Sequence, residues 1–203
     1  PSVWLRRYVP KTPASSLYYY DHELRRLYMS AYHLNEQTIQ LYVNKISSGK
    51  YHTLVGYPSS IYVLACLCEE NSLQISNIKA IHVASEKMLD SWKQKINSVF
   101  SIEPKAHYGL QERVSFHHQT SESSNYVENL EYGVTEFDST DQENVIVGTG
   151  FLNYHMPFIR YRTNDTAKLN NNKREDRNPD TILDINGRCD DIIISSDGSR
   201  LPG

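Results

Sequence analysis

Cysteine is scarce: Cys66, Cys68 and Cys189 are the 3 cysteines in 203 residues. An odd, small number cannot close a disulfide framework. Cys66 and Cys68, two apart in a segment of helical pattern, also project to different sides of it, so reduced thiols are the simpler reading. Long apolar runs are missing too. No stretch approaches the roughly eighteen apolar residues of a spanning helix, and no basic segment followed by an apolar run stands at the amino end. These features predict a soluble, cytoplasmic protein without membrane insertion. Basic charge is not in surplus either. The 24 acidic and 21 basic residues leave a net charge of -3, without the broad positive field that nucleic-acid binding uses, so no nucleic-acid partner is expected. Zinc spacing is also absent. The stretch HYGLQERVSFHH (His107 to His118) holds three histidines, but no helical H-x-x-x-H pair, no HExxH and no nearby cysteine, so a histidine metal site is not expected.

What is present alternates in period. After an opening rich in Pro and Tyr that reads as irregular, Ile39, Tyr42, Val43 and Ile46 recur at helical spacing. They predict a helix from Asn35, as cap, to Gly49, as stop. A strand-like HTLVGY, a helix from Ser59 to about Glu70, and a strand-like KAIHVA follow. Next come a helix from Ser85 to Phe100, striped by Leu89, Trp92, Ile96, Val99 and Phe100, and an extended EPKAHYG. Strand, helix, strand, helix, strand predicts an α/β fold, a parallel sheet with flanking helices. From about Ser123 the texture changes to short runs around Val127–Phe137, Asn144–Thr149, Phe158–Arg162 and Ile182–Ile185, separated by turn residues. These predict a small antiparallel sheet or partial β-barrel. The expected organisation is an α/β subdomain over 1–122 and a β-rich subdomain over 123–203. The polar run NNNKREDRNP, Asn170 to Pro179, is expected to be a mobile loop.

In an open parallel sheet, ligands bind beyond the carboxyl ends of the strands. Three segments take those places: GYPS (Gly56 to Ser59), ASE (Ala84 to Glu86) and YGLQE (Tyr108 to Glu112). Singly, each has an ordinary reading. Gly56 and Pro58 punctuate a strand-to-helix turn, Ser85 caps a helix, Tyr108 packs, and Glu112 is a solvated carboxylate. As a set they suit a pocket: small residues admit close backbone approach, an aromatic face stacks on a base, and a carboxylate can hold a magnesium ion between phosphates.

HYGLQE resembles the YGxTE motif of the adenylate-forming enzymes, the superfamily of acyl-CoA synthetases, luciferases and nonribosomal adenylation domains. PFIRYRTND (Pro157 to Asp165) resembles its RYRTGD motif, and NGRCDDIIISSDG (Asn186 to Gly198) its GRxDDxIxxxG hinge motif. RLYMSAYHLN and TLVGYPSSIYVLA are similar to the phenylacetate-CoA ligase and CapK-like branch. Three motifs in order are more specific than any one of them.

The resemblance implies ATP-dependent activation of a carboxylic acid as acyl-adenylate, then transfer to a thiol such as CoA, with ATP or AMP and Mg2+ as ligands. It also implies roles residue by residue. Tyr108 would stack on adenine beside Gly109, and Ala84, Ser85 and Glu86 would line the base and acyl pocket. Glu112 would hold the metal and act in catalysis, Asp165 would accept hydrogen bonds from the ribose hydroxyls, and Arg188 would contact ribose or phosphate. Tyr57 and Pro58 would border the acyl pocket, and Asp190 would be the hinge to a further domain. There are departures. Asn164 replaces a glycine, with left-handed geometry still open to it, and Gln111 stands where Thr or Ser is usual. The resemblance places a Ser/Thr/Gly-rich phosphate loop upstream and a lysine downstream of these residues, and both are expected to lie outside this span. The expectation is the central portion of a ligase, inactive by itself. The competing expectation is a non-catalytic nucleotide-binding or scaffold module.

Overall fold

A computed structural model describes residues 1–9, 17–140, 143–170 and 182–188, with the backbone of 192–194 and 200–202. The chain forms two compact units, Pro1–Ala106 and His107–Gly203.

The first unit corrects the reading of its opening. Residues taken as irregular form strands β1 (Ser2–Arg6), β2 (Tyr18–Asp21) and β3 (Arg26–Ser30). Val3 and Leu5 alternate with polar or amphipathic neighbours at period two, which buries one face of β1. Strands β4 (Thr53–Gly56) and β5 (Ala80–Ala84) match the two strand-like runs. β3, β1, β4 and β5 are parallel in that spatial order, and β2 adds antiparallel at the β3 edge. The register puts Val3, Leu5, Leu27, Met29, Leu54, Ile81 and Val83 on one face, all at most 1% exposed. Each such side chain contributes about 1.5–3 kcal/mol of burial.

Three helices flank this sheet. α1 (Ile39–Ser48) buries the four apolar residues read from the sequence. Its N-cap is Thr38 rather than Asn35. The Asn35 side-chain oxygen instead accepts the N–H groups of Gln37 and Thr38 in a turn before the helix. α2 (Pro58–Glu70) starts on its proline, whose fixed φ and missing N–H suit a first helical turn. α3 runs Asp90–Phe100, five residues shorter than the reading that began it at Ser85. Ser85 is no cap: its φ of 70° is left-handed and turns the chain out of β5. Of the stripe assigned to α3, Ile96 is buried and Leu89 is 43% exposed.

The second unit is antiparallel throughout, as its turn-rich texture implies. Its strands are β6 (Lys105–Gly109, with its last three residues in this unit), β7 (Phe116–Gln119), β8 (Tyr126–Glu128), β9 (Gly133–Thr140), β10 (Glu143–Gly150), β11 (Tyr161–Leu169) and β12 (Ile182–Arg188). Their spatial order is β6-β7-β8-β12-β11-β10-β9. The run read over Phe158–Arg162 becomes strand only at Tyr161. Ile146, Ala167 and Ile182 form the core here, with Tyr108, Tyr126, Phe137, Leu169 and Ile185 packed against it. A further pair, β13 (Ile192–Ile194) and β14 (Arg200–Pro202), is antiparallel. The loop read over 170–179 lies, after Asn170, outside the described residues.

Candidate functional site

The site grows from an irregularity in β11. Val145 pairs with Thr166 and Val147 with Arg162, so Ile146 alone opposes Thr163, Asn164 and Asp165. Such a bulge bends a strand and re-aims a side chain. Asn164 absorbs the bend at φ 62°, the left-handed geometry that lets Asn stand where the resembling motif has glycine. One hydroxyl spans the bulge: Thr163 Oγ1 donates to the Ile146 carbonyl at 2.9 Å and accepts the Asp165 N–H at 3.1 Å. A second bulge follows on β12, where Thr166 pairs with Gly187 and Ala167 with Ile185, leaving Asn186 unpaired. Gly187 adopts φ +103° there, a conformation costly for any residue with a Cβ.

These bulges bring three of the sequence-derived residues together. Asp165, 8% exposed, pairs in register with Arg188. The Tyr108 hydroxyl donates to Asp165 Oδ2 at 2.6 Å, and Arg188 Nε lies 3.7 Å from Asp165 Oδ1. Burial, then the bond to Asp165, pushes the Tyr108 phenol well above its ordinary range, so it stays a neutral donor. The carboxylate thus has a hydrogen-bond donor on one oxygen and a guanidinium at ion-pair distance from the other, and the Arg188 side chain is 59% exposed.

A fourth residue joins through a mediator. The Tyr161 hydroxyl donates to Glu112 Oε1 at 3.1 Å, and its pKa is raised chiefly by that bond. The same phenol feels the charges of Arg188 and Asp165, so the two carboxylates share one electrostatic neighbourhood. Glu112 lines a cleft of about 490 Å³ with Gln111, Arg113, Leu152, Asn153, Met156 and Phe158. Gly109 ends β6 beside Phe116, and a Cβ placed on it would come within 3.2 Å of that ring. Sequence reasoning missed Tyr161 and Thr163. Tyr161 stands inside the RYRTND stretch, but a tyrosine opening a strand reads as packing.

In the first unit the structure joins the two strand-end turns. β4 and β5 are adjacent, with Gly56 opposite Val83, so Tyr57, Pro58, Ala84, Ser85 and Glu86 follow neighbouring carboxyl ends. The Ser59 N–H, in the first turn of α2, donates to Glu86 Oε2 at 3.1 Å, where a carboxylate complements the helix dipole. Pro58 is buried, while the Arg7 guanidinium lies over the Tyr57 ring, 5.2 Å from its centre. Asp190 lies outside the described residues.

The histidines do not converge. His107 pairs with His118 across β6 and β7, and His117 pairs with Tyr108 one residue along, which puts it on the other face. Among the described residues no group of three or more His, Cys, Asp or Glu side chains is arranged to hold a metal ion. Among them, too, no helix is long and apolar enough to cross a membrane.

Comparison with known proteins bears on this geometry. Over 81% of its length the chain superposes, with a TM-score of 0.64 and 20% identity, on 38% of a 2-hydroxyisobutyryl-CoA ligase solved in the postadenylation state with R3-HIB-AMP. The chain has the fold of that part of the ligase. Coronafacic Acid Ligase from Pectobacterium brasiliense gives a TM-score of 0.53 at 18% identity, over 86% of this chain and 36% of that one. The anthranilate CoA ligase AuaEII, solved with anthranoyl-AMP, gives 0.56 at 12% identity, over 83% and 35%. In sequence the chain is 26% identical to Protein CapK of Staphylococcus aureus over 174 residues, 84% of this chain. It thus spans 38% of the length of that curated relative. No family model matches the sequence. The RYRTND stretch runs into β11 and the HYGLQE stretch runs out of β6, both in the second unit.

Proposed function

We propose that this chain supplies nucleotide-binding machinery of an ATP-dependent ligase that converts a carboxylic acid to its acyl-adenylate and passes the acyl group to a thiol such as CoA. The observation that carries this reading is the convergence on Asp165. A carboxylate lifted out of a strand by a bulge, steadied by a neutral tyrosine and flanked by an exposed arginine, suits a ribose with a charged phosphate next to it. Asp165 would accept hydrogen bonds from both ribose hydroxyls, since a carboxylate has about four lone-pair sites and Tyr108 uses one. Arg188 would meet the α-phosphate or ribose by a charge-assisted bond. Tyr108 and Gly109 would form the platform for the adenine, the ring of Tyr108 being only half-buried.

The residues present fit a divalent cation as well. Magnesium is commonly held by one or two carboxylates plus substrate phosphates, so the single carboxylate of Glu112 at the cleft suffices without a protein cage. When bound, Mg2+ would neutralise charge on the phosphates as the acid's carboxylate attacks the α-phosphorus. Glu112 would hold that cation in the cleft that Leu152, Met156 and Phe158 also line. In the first unit, Tyr57 and Pro58 would contact the acid. Ala84 and Ser85 would keep the base- and acyl-side roles implied by the resemblance, with Glu86 also fixing the start of α2.

The test is binding of AMP by calorimetry. Asp165→Ala is expected to weaken AMP at least about tenfold, as loss of a charged acceptor to two hydroxyls would. An unchanged affinity would remove Asp165 from the site. ATP–pyrophosphate exchange by the full-length parent protein over a panel of carboxylic acids then identifies the substrate.

A further inference from the structure

One bond near the cleft joins two residues of different motifs. Tyr161 opens β11 opposite Gly148. The Phe158 ring stands edge-on against it, centroids 5.1 Å apart and planes at 74°, which restricts the rotation of both rings. So held, the Tyr161 hydroxyl reaches Glu112 Oε1 across 49 residues of sequence. A phenol donates one proton, so one bond is all it can give the carboxylate. Oε2 takes no bond from this phenol, and Glu112 and Phe158 both line the cleft.

We propose that Tyr161 is a positioning residue: it pins one oxygen of Glu112 and thereby presents the other to a divalent cation that also meets the phosphates of ATP. This rests on the reading of Glu112 as the metal-holding carboxylate. Groups that orient a metal ligand through its second polar atom commonly change metal affinity by 10–100-fold when removed. Tyr161→Phe deletes the hydroxyl alone and keeps the ring against Phe158.

The experiment measures the ATP affinity of the purified protein by calorimetry, without and with saturating MgCl2, and AMP affinity as a control. AMP lacks the phosphates the cation would bridge. Tyr161→Phe is expected to cut the magnesium-dependent gain in ATP affinity about tenfold, with AMP affinity unchanged. Adding Tyr161→Phe to Glu112→Gln should cost nothing further, because the hydroxyl acts through that carboxylate. If Glu112→Gln abolishes the gain but Tyr161→Phe preserves it, this inference falls and the reading of Glu112 stands. If Glu112→Gln itself preserves the gain, both fall. Equal weakening of AMP and ATP by Tyr161→Phe would assign the hydroxyl a merely structural role and overturn the proposal.

Discussion

Asp165 owes its reach to its neighbours in β11: Asn164 supplies the left-handed bend, and Thr163 satisfies the backbone that the bend releases. Behind Tyr108 lies a second polar chain, buried and separate from the carboxylates. His117, 2% exposed, has Nδ1 3.1 Å from Ser115 Oγ, which is 2.9 Å from Thr135 Oγ1, and its ring centre is 6.2 Å from that of Tyr108. Burial, then the nearby His118, lowers the His117 pKa to about 4 from 6.5. The folded protein therefore holds His117 neutral where the unfolded chain takes up a proton. Stability from this group is complete above about pH 6.5 and is lost as pH falls toward about 4. Between pH 7 and 5 the loss should be about 2 kcal/mol in urea unfolding, and His117→Gln should flatten that slope. An identical slope in the variant would show that His117 carries no such linkage. At this scale the motifs disclose Tyr108, Glu112, Asp165 and Arg188, because each is the charged or aromatic member of a recognisable pattern. Thr163 and Tyr161 stay hidden, since their importance lies in hydrogen bonds across 17 and 49 residues of sequence.

The β9–β10 hairpin decides where the element carrying Glu112 lies. Arg113 and Val114, the two residues after it, run against three glycines of that hairpin. A Cβ on Gly133 would stand 2.5 Å from the Val114 carbonyl, and one on Gly148 would stand 2.8 Å from Val114 Cγ2. One on Gly150 would collide with the Arg113 carbonyl. Close backbone approach, rather than unusual φ, is the reason for glycine here. Gly148→Ala should therefore destabilise the protein by about 1–3 kcal/mol in denaturant unfolding, as overpacking does, and a shift below a few tenths would show that the segment moves aside freely. None of this is visible as a motif, because glycines in a strand look like turn chemistry until the crossing segment is known. The elements read best are those with strong period: α1, α2, β4, β5 and β6. The strands of the opening were obscured because Arg, Tyr and Trp alternate with Val3, Leu5, Leu27 and Met29, and their amphipathic bodies mask the period-two signal.

As a whole, the chain pairs a parallel α/β unit with an antiparallel one, and the four residues of the candidate site all belong to the second, His107–Gly203. The change of texture marks Ser123, whereas antiparallel pairing already begins with His107 against His118. Hairpin strands made of FHHQ and HYG carry too little alternation to announce their direction. The central claim is that one adenosine monophosphate is gripped around Asp165. The most direct test is a titration of 15N-labelled protein with AMP, followed by amide NMR shifts. Saturable shifts should centre on Tyr108, Gly109, Asn164, Asp165 and Gly187. No saturable shifts, or shifts confined to Pro1–Ala106, would contradict the account.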